Sequence, residues 1–352
     1  MRAAFLTGIR ELEVREAPDP VVTEGDDVLL QVDAVGVCGS DVHYYTTGRI
    51  GCQVVQHPWV CGHEPSATVL EVGADVTGLA PGQRVAVEPA ISCMACDQCL
   101  AGRPHTCRKL RFISCPGERP GAFSERIVMP ARNCYPIPDD LSAAEGAVME
   151  PLSIGLYAAR LASVRPGAKV AILGSGPIGL CVLLALRAET DCTVYATDRL
   201  DPRLAVARQC GADWTGNPDS QDVVAAITDA EPGLLDVVFE CAGEQDTLDQ
   251  GLHLLKPGGT LMMIGIPEVD RVSFAIDLLR RKELRLQNVR RQCECVAPAI
   301  ALAASGQVDV SPLITHRFPL DDAKAAFDLA ADYRDGVVKA VVEMGTSERS
   351  AP

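Results

Sequence analysis

The stretch Lys169-Val-Ala-Ile-Leu-Gly-Ser-Gly-Pro-Ile-Gly179 decides the fold. Its first half, KVAIL, reads as a short buried strand. Gly174, Gly176 and Gly179 then allow a tight turn, close approach to a pyrophosphate and tight helix–strand contact. The helical pattern LCVLLALRAE follows, and its N-terminus, where Ile178 sits, offers free N–H groups and a positive dipole end to phosphates. Pro177 suits the first turn, where its missing donor costs nothing. A second strand, TVYAT, ends in Asp198, whose carboxylate can accept from adenosine ribose hydroxyls and repels a 2′-phosphate. Arg199 and Arg203 stand nearby and could hold such a phosphate, but the acid weighs more, so NAD rather than NADP is expected. A glycine triplet alone is a weak signal; strand, glycines, helix, strand and acid in that order make it a nucleotide fold.

Working outward, strands and helices alternate from Leu152 to about Asn288, through PRLAVARQCG, QDVVAAITDA, DVVFECAG, TLDQGLHLL, TLMMIGI and ELRLQNV. That pattern reads as a doubly wound parallel sheet of about six strands, an α/β fold. From Met1 to about Glu150 the chain shows short strands punctuated by Gly and Pro, which reads as a β-rich, barrel-like domain. VAPAIALAASGQ and LDDAKAAFDLA are amphipathic helices, and VVKAVVEM is a strand that can return to the first domain. The expected boundaries are therefore 1–151, 152–288 and 289–352, with GTSERSAP as a short frayed tail. Glu145 suits a helix N-terminal turn, and His57, His105, His253 and His316 show no partner pattern.

The first domain carries an insert at about 93–107, CMACDQCLAGRPHTC, in which Cys93, Cys96, Cys99 and Cys107 lie close in sequence. Four thiolates at this spacing can wrap one tetrahedral zinc, leaving no open position for chemistry, so the insert reads as structural. A disulfide pair and an iron–sulfur cluster are the alternatives. The last gap and the lack of a proline after Cys107 depart from the bacterial ferredoxin run.

A second constellation is Cys38, His63, Glu64 and Glu150. Cys38 follows the strand-like VLLQVDAVGV, His63-Glu64 sits in a turn leading into an apolar strand, and Glu150 precedes Pro151 in MEPLSIG. One thiolate, one imidazole and one or two carboxylates suit Zn2+ while leaving a position for water or substrate. Spacing alone cannot bring these segments together, and an isolated cysteine is usually a buried small hydrophobe.

Taken together, GVCGSDVHYYTTGRIG, GHE, the four-cysteine insert, MEPLSIG, GSGPIG and NVRRQ resemble the zinc-dependent medium-chain dehydrogenase/reductase superfamily, within it the sorbitol (L-iditol 2-) and xylitol dehydrogenase group. The resemblance spans nearly the whole chain. It implies a GroES-like catalytic domain, a Rossmann coenzyme domain and NAD-linked oxidation of a polyol's secondary alcohol to a ketose. It implies a catalytic zinc held by Cys38, His63 and Glu150, with Glu64 ligating or orienting the site, beside the structural zinc. Ser40 would accept the hydroxyl proton and His43 pass it to solvent; a zinc-bound water activated by Glu150 or Glu64 is a competing route. Tyr44 would donate a hydrogen bond to a polyol hydroxyl, Phe112 would line an apolar wall, and Arg290 and Arg291 would stand near substrate. Ethanol-type relatives have cysteine where Glu150 stands. Butanediol, galactitol or threonine dehydrogenase is the neighbouring alternative, and a homotetramer or dimer is implied.

Bulk properties fit a cytoplasmic enzyme. A net charge of −15 argues against nucleic acid or an anionic membrane as partner. The first residues lack an apolar leader core, and no apolar run reaches the ~18 residues that span a bilayer. Fifteen cysteines in such a chain mean metal ligands and buried thiols rather than a disulfide framework.

Overall fold

The strand Asp27–Gly36 alternates with period two, burying Val28, Leu30, Val32 and Ala34 on one face. Around it a seven-stranded sheet assembles in the computed structural model, which describes residues 1–345; the expected tail from 346 onward lies outside the described residues. Glu64–Val72 pairs antiparallel along nearly the whole central strand. Arg126–Pro130 pairs with its first half, from Asp27 to Gln31, and Lys339–Glu343 with its last residues, where Val341 faces Gly36. The C-terminal strand thus joins this sheet, following the helix Ala323–Ala331. Phe327 from that helix packs edge-on against Tyr45 and Phe123, at 5.3 and 5.2 Å between centroids. Each fully buried aromatic of this kind contributes roughly 1.5–3 kcal/mol.

The second unit holds a six-stranded, all-parallel sheet ordered Trp214–Gly216, Thr193–Thr197, Lys169–Leu173, Leu235–Glu240, Leu255–Met263, Arg285–Asn288. In chain order that is 3-2-1-4-5-6, the Rossmann arrangement. The register sets Leu173 beside both Thr197 and Glu240, so the turns at Gly174, Asp198 and Cys241 gather at one carboxyl edge. Gly174 adopts φ +100° there, and a Cβ on Gly179 would lie 1.9 Å from the Gly174 carbonyl oxygen. Both glycines are therefore required by geometry.

One feature differs from the sequence reading. The compact units are Met1–Glu150 with the chain from Ile314 onward, and Pro151–Leu313, so 289–313 clusters with the coenzyme unit rather than with the returning segment. That segment includes helix Val296–Ala304, buried through Val296, Ala299 and Ile300. Ala143–Ala162 runs through Pro151 as one helix. The N-terminus of that helix is closed by Ser142 and Glu145, whose carboxylate accepts the Ser142 N–H at 2.7 Å while Glu145 N–H donates to Ser142 Oγ at 3.2 Å.

Gly179→Ala is expected to lower unfolding stability by about 1–3 kcal/mol, the range for forcing an atom into a filled site. Urea denaturation checks this, with a fall in midpoint at unchanged slope.

Candidate active site and metal centres

Cys38 occupies the N-cap of helix Gly39–Thr46, in extended conformation, directly after the central strand. Its N–H donates to Asp41 Oδ2 at 3.1 Å, one half of a capping box. Asp41 is wholly buried. Its Oδ1 also accepts from Gly62 N–H at 3.0 Å and Ser114 Oγ at 3.2 Å, and lies 3.4 Å from His63 Nδ1. The last is a charge contact rather than a hydrogen bond, because the buried Nδ1 has no hydrogen-bond partner among the described residues. Burial alone would depress the His63 imidazole, but the Asp41 and Cys38 charges outweigh it and raise its pKa well above the usual value. Burial would raise Asp41, yet His63 and the two backbone N–H groups hold it below its ordinary range. With Nδ1 turned to Asp41, Nε2 is left to face a metal, as in carboxylate–histidine–zinc arrangements.

Glu64 opens the strand that follows His63. Both its oxygens accept from Lys339 Nζ, at 2.9 and 2.7 Å, and the ammonium also donates to Val37 O at 3.1 Å. Both side chains are at most 2 % exposed. A Cβ on Gly36 would meet Glu64 Oε2 at 2.1 Å, so the central strand must end in glycine here. Ligand atoms of Cys38, His63 and Glu64 all lie within 4.8 Å of one another. Sulfur, ring nitrogen and carboxylate oxygen at that separation fit zinc. Glu150 is buried in Ala143–Ala162 and stands outside this trio.

Ser40 and His43 are half-buried on the helix that Cys38 caps, three residues apart and so on one face. Tyr44, on the same helix, donates its hydroxyl to Gln53 Oε1 at 3.1 Å. The Phe112 ring stands 5.2 Å from the His63 ring. Arg290 is exposed and Arg291 half-buried in the loop after Arg285–Asn288, in the second unit.

The four insert cysteines form a second group, with Sγ separations of 3.4, 3.6, 3.8 and 4.0 Å. Zn–S bonds of about 2.3 Å in a tetrahedron place sulfurs roughly 3.8 Å apart, so the cage fits one zinc. All four are free thiols, which removes the disulfide alternative. Backbone N–H groups of Cys93 and Lys109 point at Cys107 Sγ, both at 3.3 Å. Backbone N–H groups of Cys99 and Arg108 pull the Cys96 thiol down to about 6, and burial pushes Cys99 up to about 12.

In the coenzyme unit Gly176 caps helix Pro177–Glu189, with Pro177 at its first position and Ile178 half-buried beside it. Asp198 accepts from Ser175 N–H at 2.8 Å and Leu200 N–H at 2.9 Å. Burial raises its carboxyl, against the opposing pull of Arg203, 4.0 Å away. Arg199 is exposed and pairs with Asp219 at 3.0 Å. Sequence reasoning missed Glu240, which accepts from Ala242 N–H, Gly243 N–H and Thr247 Oγ1 at 2.7–2.8 Å and shapes the turn beside Gly174. It also missed Asp41 and Lys339. The signals were there: an acid three residues after Cys38, and a lone charge in the apolar run VVKAVV.

Residues 24–139 match the alcohol dehydrogenase GroES-like domain, and 177–305 the zinc-binding dehydrogenase domain. A Rhizobium meliloti (strain 1021) protein, provisionally named a D-xylulose reductase, is 40% identical across 97% of this chain and 99% of its own. The sorbitol dehydrogenase of Bacillus subtilis (strain 168) is 35% identical across 97% of each. A Sinorhizobium meliloti 1021 structure, described provisionally as a zinc-binding dehydrogenase and bound to NADP, superposes with a TM-score of 0.88 at 34% identity. It covers 97% of this chain and 98% of that one.

Lys339→Met strands the Glu64 charge in a buried site and is expected to cost about 3–5 kcal/mol. Adding Glu64→Gln should recover most of it in urea unfolding. A single variant as stable as the wild type would contradict the pairing.

Proposed function

The chain belongs to the zinc-binding, GroES-like alcohol dehydrogenase family, and from that premise we propose that it oxidises a secondary alcohol of a sugar alcohol to the ketose. The substrate is of the sorbitol, L-iditol or xylitol type, and the cofactors are NAD and zinc. The observation that supports this reading most is the trio Cys38, His63 and Glu64 with Asp41 behind it.

Cys38 and His63 would hold the catalytic ion, with Glu64 or Glu150 completing the set, and the four insert cysteines would hold the structural one. When bound, zinc supplies the Lewis acidity that lowers an alcohol's pKa towards neutrality, and NAD accepts the hydride. The chain's own residues set the conditions for that. Asp41, 3.4 Å from Nδ1, holds the His63 ring by its charge. Lys339 neutralises Glu64, so of the trio only Cys38 sets an uncompensated negative charge against a dication. With zinc held there, that balance would favour loss of a proton from a substrate hydroxyl. Ser40 takes the proton and His43, on the same helix face, hands it to solvent. Phe112 walls the site beside His63, with Tyr44 on the catalytic helix; Arg290 and Arg291 are proposed substrate contacts by family resemblance. The Gly174–Gly179 turn and the helix end at Gly176 receive the pyrophosphate, and Asp198 the ribose hydroxyls.

No helix of the described residues is long and apolar enough to cross a membrane. Fifteen cysteines, all free, suit a reducing compartment, and the cytoplasm is proposed. A homotetramer or dimer is proposed from the family.

The test is a panel of sorbitol, xylitol, galactitol, 2,3-butanediol and threonine, each with NAD and NADP. The expected outcome is highest kcat/KM on a polyol with NAD, and Asp198→Ala should shrink the NAD preference about tenfold or more. Best turnover on butanediol or threonine would overturn the polyol assignment. An unchanged coenzyme ratio in Asp198→Ala would overturn the ribose assignment.

A further inference from the structure

Tyr44 and Phe112 are joined from behind by hydrogen bonds that pass through three residues given no role so far. The Tyr44 hydroxyl donates to Gln53 Oε1 at 3.1 Å, and Gln53 Nε2 donates to Cys115 Sγ at 2.8 Å. Cys115 donates to Glu118 Oε1 at 3.2 Å, while Glu118 Oε2 accepts Phe112 N–H at 2.7 Å.

The polarity of this chain is forced from its acidic end. A carboxylate only accepts, and so does the Pro116 carbonyl oxygen 4.0 Å from the sulfur. A thiol has one hydrogen, and at Cys115 it faces the Glu118 carboxylate. That hydrogen is therefore directed at Glu118, and the sulfur has nothing to give Gln53. Gln53 must turn its NH2 to the sulfur, which sets its carbonyl oxygen against Tyr44. Side-chain amide orientation is ordinarily an assignment made from the surrounding bonds, and here those bonds favour this one. The phenolic hydrogen is spent on Gln53, so any further group that meets the Tyr44 oxygen must donate to it.

We propose that Gln53, Cys115 and Glu118 are positioning residues that fix Tyr44 as a hydrogen-bond acceptor, so that this position selects a substrate hydroxyl acting as donor. The sequence reading gave Tyr44 the opposite role. A ketone oxygen cannot donate, so the hydroxyl concerned is one that survives the reaction, beside the carbon being oxidised. The inference rests on the polyol reading above and deepens it.

The holoenzyme is assayed with a polyol it turns over and with deoxy and deoxyfluoro analogues at each non-reacting carbon. Fluorine can accept weakly but cannot donate. At one carbon the fluoro analogue should be as poor as the deoxy one, by about tenfold or more in kcat/KM and mainly through KM. Tyr44→Phe and Gln53→Leu should abolish that penalty. A fluoro analogue that recovers activity lost by the deoxy compound overturns the acceptor role. A second arm needs no substrate: the infrared S–H band of Cys115, isolated as wild type minus Cys115→Ala. Weakening its donor bond in Glu118→Ala should shift the band to higher frequency, with Glu118→Gln as the milder variant. A band unmoved in both overturns the relay. Absence of any polyol turnover by the wild type would sink the polyol reading, while the infrared arm would still decide the polarity.

Discussion

A carboxylate shut away from water organises the catalytic centre. Asp41 is fully buried, and burying an isolated charge is prohibitive unless donors replace its hydration. The donors come from three distant segments: Cys38 N–H at a helix cap, Gly62 N–H just before His63, and the Ser114 hydroxyl. Satisfying that one group pulls thiolate and imidazole to within ligand distance of each other before any metal is considered. The Glu64–Lys339 pair does the same from the other side, tying the final strand to the start of the strand that follows His63. A breach of either leaves an unpaired charge in a dry interior.

How much of this was legible depended on how local each signal was. The glycine turn, the nucleotide acid and the four-cysteine insert are contiguous, and each places its own ligands; Cys93 to Cys107 needs no distant partner to make a cage. Cys38 at a strand end and Glu64 at a strand start were readable for the same reason. Asp41 and Lys339 were not, because nothing in sequence says which loop a buried charge will face. The segment 289–313 was assigned by its amphipathic pattern, which shows that a helix is covered but not by which unit.

The two centres divide their electrostatics in contrasting ways. In the coenzyme unit Asp198 and Glu240 sit at neighbouring strand ends and turn their oxygens onto loop N–H groups, stiffening the turns around Gly174. In the catalytic unit Asp41 also takes two backbone N–H groups, while Glu64 is paired side chain to side chain with Lys339. The four-cysteine cage lies between these extremes: two backbone N–H groups aim at Cys107, but the crowded sulfurs need a cation to balance them.

The most direct measurement is zinc content alongside NAD-linked polyol oxidation in Cys38→Ala. The account expects the variant to keep the insert's metal and its fold, lose the other ion and lose polyol oxidation by about a thousandfold or more. Full metal occupancy with undiminished turnover would contradict it.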